Sequence, residues 1–228
     1  YTTADSVTCV QGDASAPHWA KTKRLSKSAV LTTAHVMASS AIPLLFPPVA
    51  VGQRYFGDGS VRNSSPCAPS IYLGADKLLV IGVRLHARTT AEDFEALKST
   101  KAPSVARVLN ILLNAELLDG IEMDVERLTR MNEFVDQVPA EFRDHLNYRK
   151  VDALLLSPSV DIGTMALQYA KHLPRLIRYL LKGLGRIEDA REITSYLLFD
   201  PRFCQALIEV GYQDGLRHEE KLLAFLQP

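Results

Sequence analysis

The chain of 228 residues is defined first by what it lacks. It has only three cysteines, Cys9, Cys67 and Cys204, widely spaced and never as C-x-x-C, which excludes the usual zinc and dithiol redox motifs. Reduced, mostly buried thiols are expected. It has no surplus of charge of either sign, with 26 Lys+Arg against 26 Asp+Glu. A nucleic-acid surface normally shows a basic excess, so no nucleic-acid partner is expected. No apolar run approaches the length of a membrane span. The sequence does not open on a signal-peptide pattern, and a cytoplasmic protein is expected, peripheral to a membrane at most. The six histidines, His18, His35, His86, His145, His172 and His218, show no metal-ligand spacing, so neither a metal nor a cofactor is expected. Finally, no Gly-x-Ser-x-Gly occurs in residues 1–228, and no Gly-rich segment offers the stacked N–H donors of an oxyanion hole.

What is present is ordinary globular material, 47% apolar and 23% charged, enough for a sizeable core. Residues 1–10 favour a strand by their Thr, Val and Tyr content, and 12–17 a loop. Residues 25–39 read as a short helix capped by Ser26 or Ser28. Pro43, Pro47 and Pro48 make the next stretch irregular and apolar. Residues 49–51 and 54–56 read as strands flanking Gly52. Ser64-Ser65-Pro66 marks a helix start, with the helix ending near Gly74. Residues 77–83 form a continuous apolar run that fits a strand buried on both faces. Strand, helix and strand in this order predict an α/β layered core.

From Thr90 the texture is helical. Val105, Val108, Leu109, Leu112 and Leu113 share one helix face, and Ile121, Val125, Leu128 and Val135 continue the pattern. Residues 151–156 are a further strand. From Thr164 the chain is helical again, with Leu173, Leu176, Ile177, Leu180 and Leu184 in one stripe and Phe203, Leu207 and Val210 in another. Gly211 and Gly215 are expected to break the last helices.

The segment richest in chemistry is 38–62. It runs Ala-Ser-Ser-Ala-Ile-Pro-Leu-Leu-Phe-Pro-Pro-Val and later Tyr-Phe-Gly-Asp-Gly-Ser-Val-Arg. Asp58-Gly59 reads in two ways. It is a hairpin corner, with Asp hydrogen-bonding locally and Gly supplying positive φ, or it is a turn holding one carboxylate at the lip of a pocket. Together with Asn63, Pro66 and Leu-Gly-Ala-Asp-Lys-Leu-Leu-Val-Ile-Gly-Val at 73–83, the segment resembles the patatin-like phospholipase family. Leu-Ile-Glu-Val-Gly-Tyr-Gln-Asp at 207–214 is similar to that family's last helix. The likeness spans roughly 1–85 and 195–228. Ser60 departs from the Gly or Ala usual at the third position of the turn.

The resemblance implies a three-layer α/β/α domain, a lipid or acyl-ester substrate, and hydrolysis by a serine–aspartate dyad without histidine. In it Asp58 is the catalytic carboxylate, with Gly59 and Ser60 supporting the turn and pocket. It further implies that this chain is the C-terminal part of one such domain over 1–228, beginning after the serine elbow, with a helical insertion at about 90–147 and extra helices at the end. A rival reading is a catalytically inactive lipid-binding or protein-interaction domain of the same fold. Hydrolysis and acyl transfer are equally open, since one dyad serves both. Lys171, Arg175, Arg178, Lys182 and Arg186 recur at helical intervals opposite the 173–184 leucine stripe. Such a helix either lies on an anionic membrane or buries its apolar face in the core.

Overall fold

The computed structural model describes residues 1–13, 15–85, 102–117, 119–143 and 145–227. His86 and the start of the expected helical stretch at 90–101 lie outside the described residues. The fold is α/β, with small sheets and many helices. It divides into two compact units, the first formed by residues 1–78 and 119–153, the second by 79–118 and 154–228.

The first unit begins with β1 (Ser6–Val10), whose β-branched residues suit a pleated surface. It pairs in parallel with β3 (Arg24–Ser28), in the register Val7 to Leu25 and Cys9 to Lys27. The two-residue β2 (Ala20–Lys21) folds back antiparallel on β3. Residues 25–28 are therefore strand and not the start of a helix. The Ser26 hydroxyl is used by that sheet corner and accepts the Trp19 N–H at 2.8 Å. The helix that does form, α1 (Thr33–Ser39), starts after Thr32, whose N–H donates to Nδ1 of His35 at 3.2 Å.

A proline-rich loop leads to β4 (Val49–Val51) and β5 (Arg54–Phe56), an antiparallel pair in the register Val49 to Phe56. The corner of this hairpin is at Gly52, where φ is +60°, a left-handed value that suits glycine. The hairpin-corner reading of Asp58-Gly59 thus does not hold. Next comes α2 (Ala68–Tyr72), whose C-terminal Tyr72 lies against Trp19 with ring centroids 5.1 Å apart. Farther along the chain, α4 (Asp119–Gln137), numbered after α3 (Val105–Leu117) of the second unit, brings Val135 into the core. The side chain of Asn132 brackets buried Val151, accepting its N–H at 3.1 Å and donating to its carbonyl at 2.9 Å. A single turn, α5 (Ala140–Arg143), follows.

Strands β6 (Lys77–Ile81) and β7 (Asp152–Leu156) pair with each other. Asp152 donates to the carbonyl of Asp76, and Gly82 to that of Leu156, so the two run in the same direction. In β6 only Leu78 is buried, while Leu79 and Ile81 are exposed. The expectation of burial on both faces fails because, among the described residues, β6 has one strand neighbour and no second.

The second unit is helical: α3, α6 (Ile162–Tyr169), α7 (Arg175–Leu184), α8 (Arg191–Leu197), α9 (Pro201–Arg217) and α10 (Glu219–Leu226). Small residues let its helices approach closely, since Ala106, Ala166 and Ala190 are fully enclosed, and Phe203 fills the middle beside Tyr169. Asp161 and Asp200 accept backbone N–H groups at the starts of α6 and α9, and Pro201 opens α9 without wasting a donor. Gly211 and Gly215 do not end a helix; α9 passes through both and stops at His218. Each glycine costs only about 1 kcal/mol in a helix interior, less than the turns around it return. On α3 the inward face carries Ala106 and Asn110, so the expected stripe is misplaced: Val105, Val108 and Leu112 point to solvent.

Candidate functional site

The first unit holds a cavity of about 600 Å³. Its apolar wall includes Leu31, Val36, Pro43, Val51, Phe56 and Val61, and its polar groups include Ser6, Thr8, Ser39, His35 and Asp58. The cavity is assembled from β1, α1, the proline loop, the β4–β5 hairpin and the residues just after β5. Each piece is short, and the half-open space between them follows from that.

Asp58 is placed by its backbone before its side chain is considered. Its N–H donates to the Ala41 carbonyl at 2.9 Å, which ties the end of β5 to the loop following α1. Its carboxylate then caps a 3₁₀ turn over Gly59–Val61: Oδ1 accepts the Ser60 N–H at 2.8 Å and the Ser60 hydroxyl at 2.5 Å. Two donors on one oxygen fix the rotamer. Oδ2 takes no hydrogen bond from the described residues. The half-buried carboxylate therefore lines the cavity with one oxygen engaged and one available.

The three residues singled out in the turn lie together in it, each with contacts of its own. Ser60, a departure from the family pattern, supplies the hydroxyl that holds Asp58, a contact Gly or Ala does not make. Gly59 lines the cavity, yet its φ is not positive, and a Cβ built there meets nothing within 4 Å. The tightly enclosed glycine is Gly57, where a Cβ would lie 2.2 Å from the Tyr1 hydroxyl oxygen.

His35, one of the six histidines without metal-ligand spacing, is on the cavity wall. Because its Nδ1 accepts the Thr32 N–H, the neutral ring carries its proton on Nε2. The signal was present as Thr32 followed by His35 at the third helical position, the spacing of a reciprocal cap. Cys67 is a buried thiol at the start of α2, and burial, with the charge and hydrogen bonding of Asp124, pushes it up to about 11. That is the opposite of an activated nucleophile. Lys171, Arg175, Arg178 and Lys182 all belong to the second unit and the cavity to the first.

Residues 3–71 match the family model described as Patatin-like phospholipase. That stretch contains β1 through most of α2 and therefore the whole Asp58 corner. The match lies in the N-terminal region of the chain. It supports the family but does not bear out the reading of the chain as the family's C-terminal portion. No curated protein and no solved structure matches the chain.

Proposed function

We propose that the protein is a lipid acyl hydrolase acting through a serine–aspartate dyad, with Asp58 as its carboxylate. The observation that supports it is the placement of Asp58 on an apolar cavity inside the residues that match the family. In this reading the serine lies outside residues 1–228, where no Gly-x-Ser-x-Gly occurs. Its hydroxyl donates to Oδ2, the oxygen Ser60 leaves open. As the serine oxygen attacks the ester carbonyl, its proton passes to Asp58 and on to the departing alkoxide. The acyl-enzyme is then cleaved by water, which gives a proton to the same carboxylate, and that proton returns to the departing serine oxygen.

A carboxylate is a feeble base toward an alcohol. An apolar surrounding strengthens such a contact, and Val36, Pro43, Val51 and Phe56 supply apolar lining to the cavity. The same wall suits the acyl chain of a lipid ester, and the volume lies within the range of about 300–1,000 Å³ usual for small-ligand sites.

The test is Asp58→Asn in the full-length protein. General-base groups are worth about 10²–10⁴-fold, so hydrolysis of a p-nitrophenyl acyl ester falls by at least about 100-fold. The fold persists, because an amide Oδ1 still accepts both Ser60 donors. A rate within about twofold of wild type removes Asp58 from the mechanism, given that effect size. The missing serine motif favours one other reading, a lipid-binding domain without activity. A fluorophosphonate probe decides between them: labelling of the full-length protein supports the enzyme, and failure to label supports the binding domain.

A further inference from the structure

Helix α7 ends sharply at both sides. Pro174 precedes it, and Gly185 follows with φ +150° and ψ −158°, a conformation that side chains resist. Leu181 is buried and Ile177 half-buried, so this edge seats the helix. Leu173, just before the helix, is buried as well, and the remainder of the apolar stripe does not turn inward. Leu176, Tyr179 and Leu180 are 67%, 75% and 53% exposed, and Leu184 is exposed as well. At 3.6 residues per turn these four cover an arc of about 140°. A helix on a water-facing surface normally fills such an arc with polar residues.

The charges beside that arc are of one sign. Between 171 and 186 the sequence contains Lys171, Arg175, Arg178, Lys182 and Arg186 and no Asp or Glu, in a chain of zero net charge. Two of the five are committed: Arg178 donates to the Lys171 carbonyl at 3.0 Å, and Arg186 pairs with Glu188 at 3.4 Å. Arg175 and Lys182 are exposed, border the arc at its Tyr179 edge, and have no ion-pair partner among the described residues.

We propose that α7 docks on an anionic phospholipid bilayer, lying in the plane of the interface. Leu176, Leu180 and Leu184 enter the acyl boundary, Tyr179 sits at headgroup depth, and Arg175 and Lys182 meet lipid phosphates and carboxylates. Exposed apolar area bounded by cations that have no ion-pair partner among the described residues is the composition such a surface recognises, and a neutral protein as a whole makes the attraction local to this helix. No described helix is long and apolar enough to cross a membrane, so the contact is one of lying on and not spanning. The proposal does not rest on the hydrolase reading, because vesicle binding is measured without turnover.

The experiment is sedimentation of the full chain with phosphatidylserine–phosphatidylcholine vesicles and with pure phosphatidylcholine vesicles. Binding is expected only to the former. Each cation near an anionic surface is worth about fivefold, so Arg175→Gln with Lys182→Gln weakens binding about 25-fold. Leu180→Asp abolishes it, whereas Lys21→Gln, an exposed cation of the first unit, leaves it unchanged. Hydrogen exchange on the unmodified protein gives a second measurement free of folding artefacts. Vesicles protect backbone amides within 175–184. The proposal is overturned by no sedimentation, by equal loss in the Lys21 variant, or by unaltered exchange across 175–184. A concentration-dependent dimer abolished by Leu180→Asp also overturns it, since a second copy then covers the face.

Discussion

Removing Asp124 tests how the first unit is held together. Asp124 lies on α4 and is 5% exposed. Its Oδ2 accepts the backbone N–H of Cys67 at 2.9 Å, where α2 begins, and its Oδ1 accepts Arg127 Nη1 at 3.0 Å. Arg127 also donates to Ser65 Oγ at 2.9 Å. One buried carboxylate thus joins α4 to the start of α2. Asp124→Ala deletes a charged acceptor and strands a buried N–H donor, at about 1.5–3 kcal/mol for such a bond. The Arg127 bridge adds no more than about 0.5 kcal/mol, because that guanidinium is largely in water. The expected loss is about 3 kcal/mol. With a urea slope of about 2 kcal/mol per molar, the midpoint falls by about 1.5 M. Asp124→Asn keeps an oxygen for Cys67 and falls between the two.

The assay is local. Trp19, the single tryptophan, packs on Tyr72 at the end of α2, so its fluorescence follows the first unit. Cys67 gives an independent readout, since part of its elevation to about 11 comes from the charge of Asp124. Without that charge the thiol drops, and iodoacetamide at pH 9 alkylates Cys67 faster in the variant. The sign for stability is fixed by the same elevation. A thiol raised from 9.0 to about 11 in the fold adds stability that is whole below pH 9 and is lost as the pH rises through 11. If the Trp19 transition and the alkylation rate both stay at wild-type values in Asp124→Ala, the carboxylate does not anchor α2.

Two further outcomes are expected. Asp214 on α9 accepts the Ser159 N–H at 2.8 Å and Arg217 Nη1 at 3.1 Å; burial pushes its carboxyl up, but Ser159 and then Arg217 and His218 outweigh it and hold the group below 3.8. A depressed folded value gives stability present above the usual carboxylate range and lost as pH falls through the folded value, so Asp214→Asn flattens the acid limb of helical circular dichroism below about pH 4, and an unchanged limb refutes the assignment. Gly59→Ala leaves the unfolding free energy from urea titration within about 0.5 kcal/mol, because the new methyl meets no neighbour and the backbone is not left-handed, and a loss above about 1.5 kcal/mol contradicts that geometry.

Local signals were readable where the chain interacts with its own near neighbours. The strands at 49–51 and 54–56 around Gly52, and the end of the helix by Gly74, needed only turn chemistry and alternation, although that helix begins at Ala68 after Cys67 and not at Ser64-Ser65-Pro66. Residues 25–39 show the opposite case. Ser26 and Ser28 look like helix caps in isolation, but a parallel partner eighteen residues upstream, with Ser6 set against Arg24, converts 24–28 to strand. No spacing within the segment encodes a partner of that kind. The helical stripes failed for a related reason. Periodicity shows that 105–113 and 173–184 are amphipathic, but which arc is seated depends on what packs there, and in α3 and α7 the smaller or farther-round residues Ala106 and Leu181 are the ones buried.

The Asp58 corner combines both situations and explains why residue type was easier to read than role. An Asp-Gly pair after a strand is ambiguous in one dimension, because hairpin corner and capped 3₁₀ turn begin with the same two residues. The distinction comes from two groups distant in different senses: Ala41, seventeen residues upstream, which takes the Asp58 N–H, and Ser60, two residues on, which takes up one carboxylate oxygen. Ser60 counted as a departure from the pattern when judged by type, yet by position it is the residue that decides which oxygen stays open. A carboxylate with both oxygens bound is a structural cap and no more. A carboxylate with one oxygen bound, on the wall of an apolar cavity, is oriented and still able to accept a proton. That asymmetry is the physical content of the functional reading, and it is a property of the turn's hydrogen bonds and not of the Asp-Gly dipeptide.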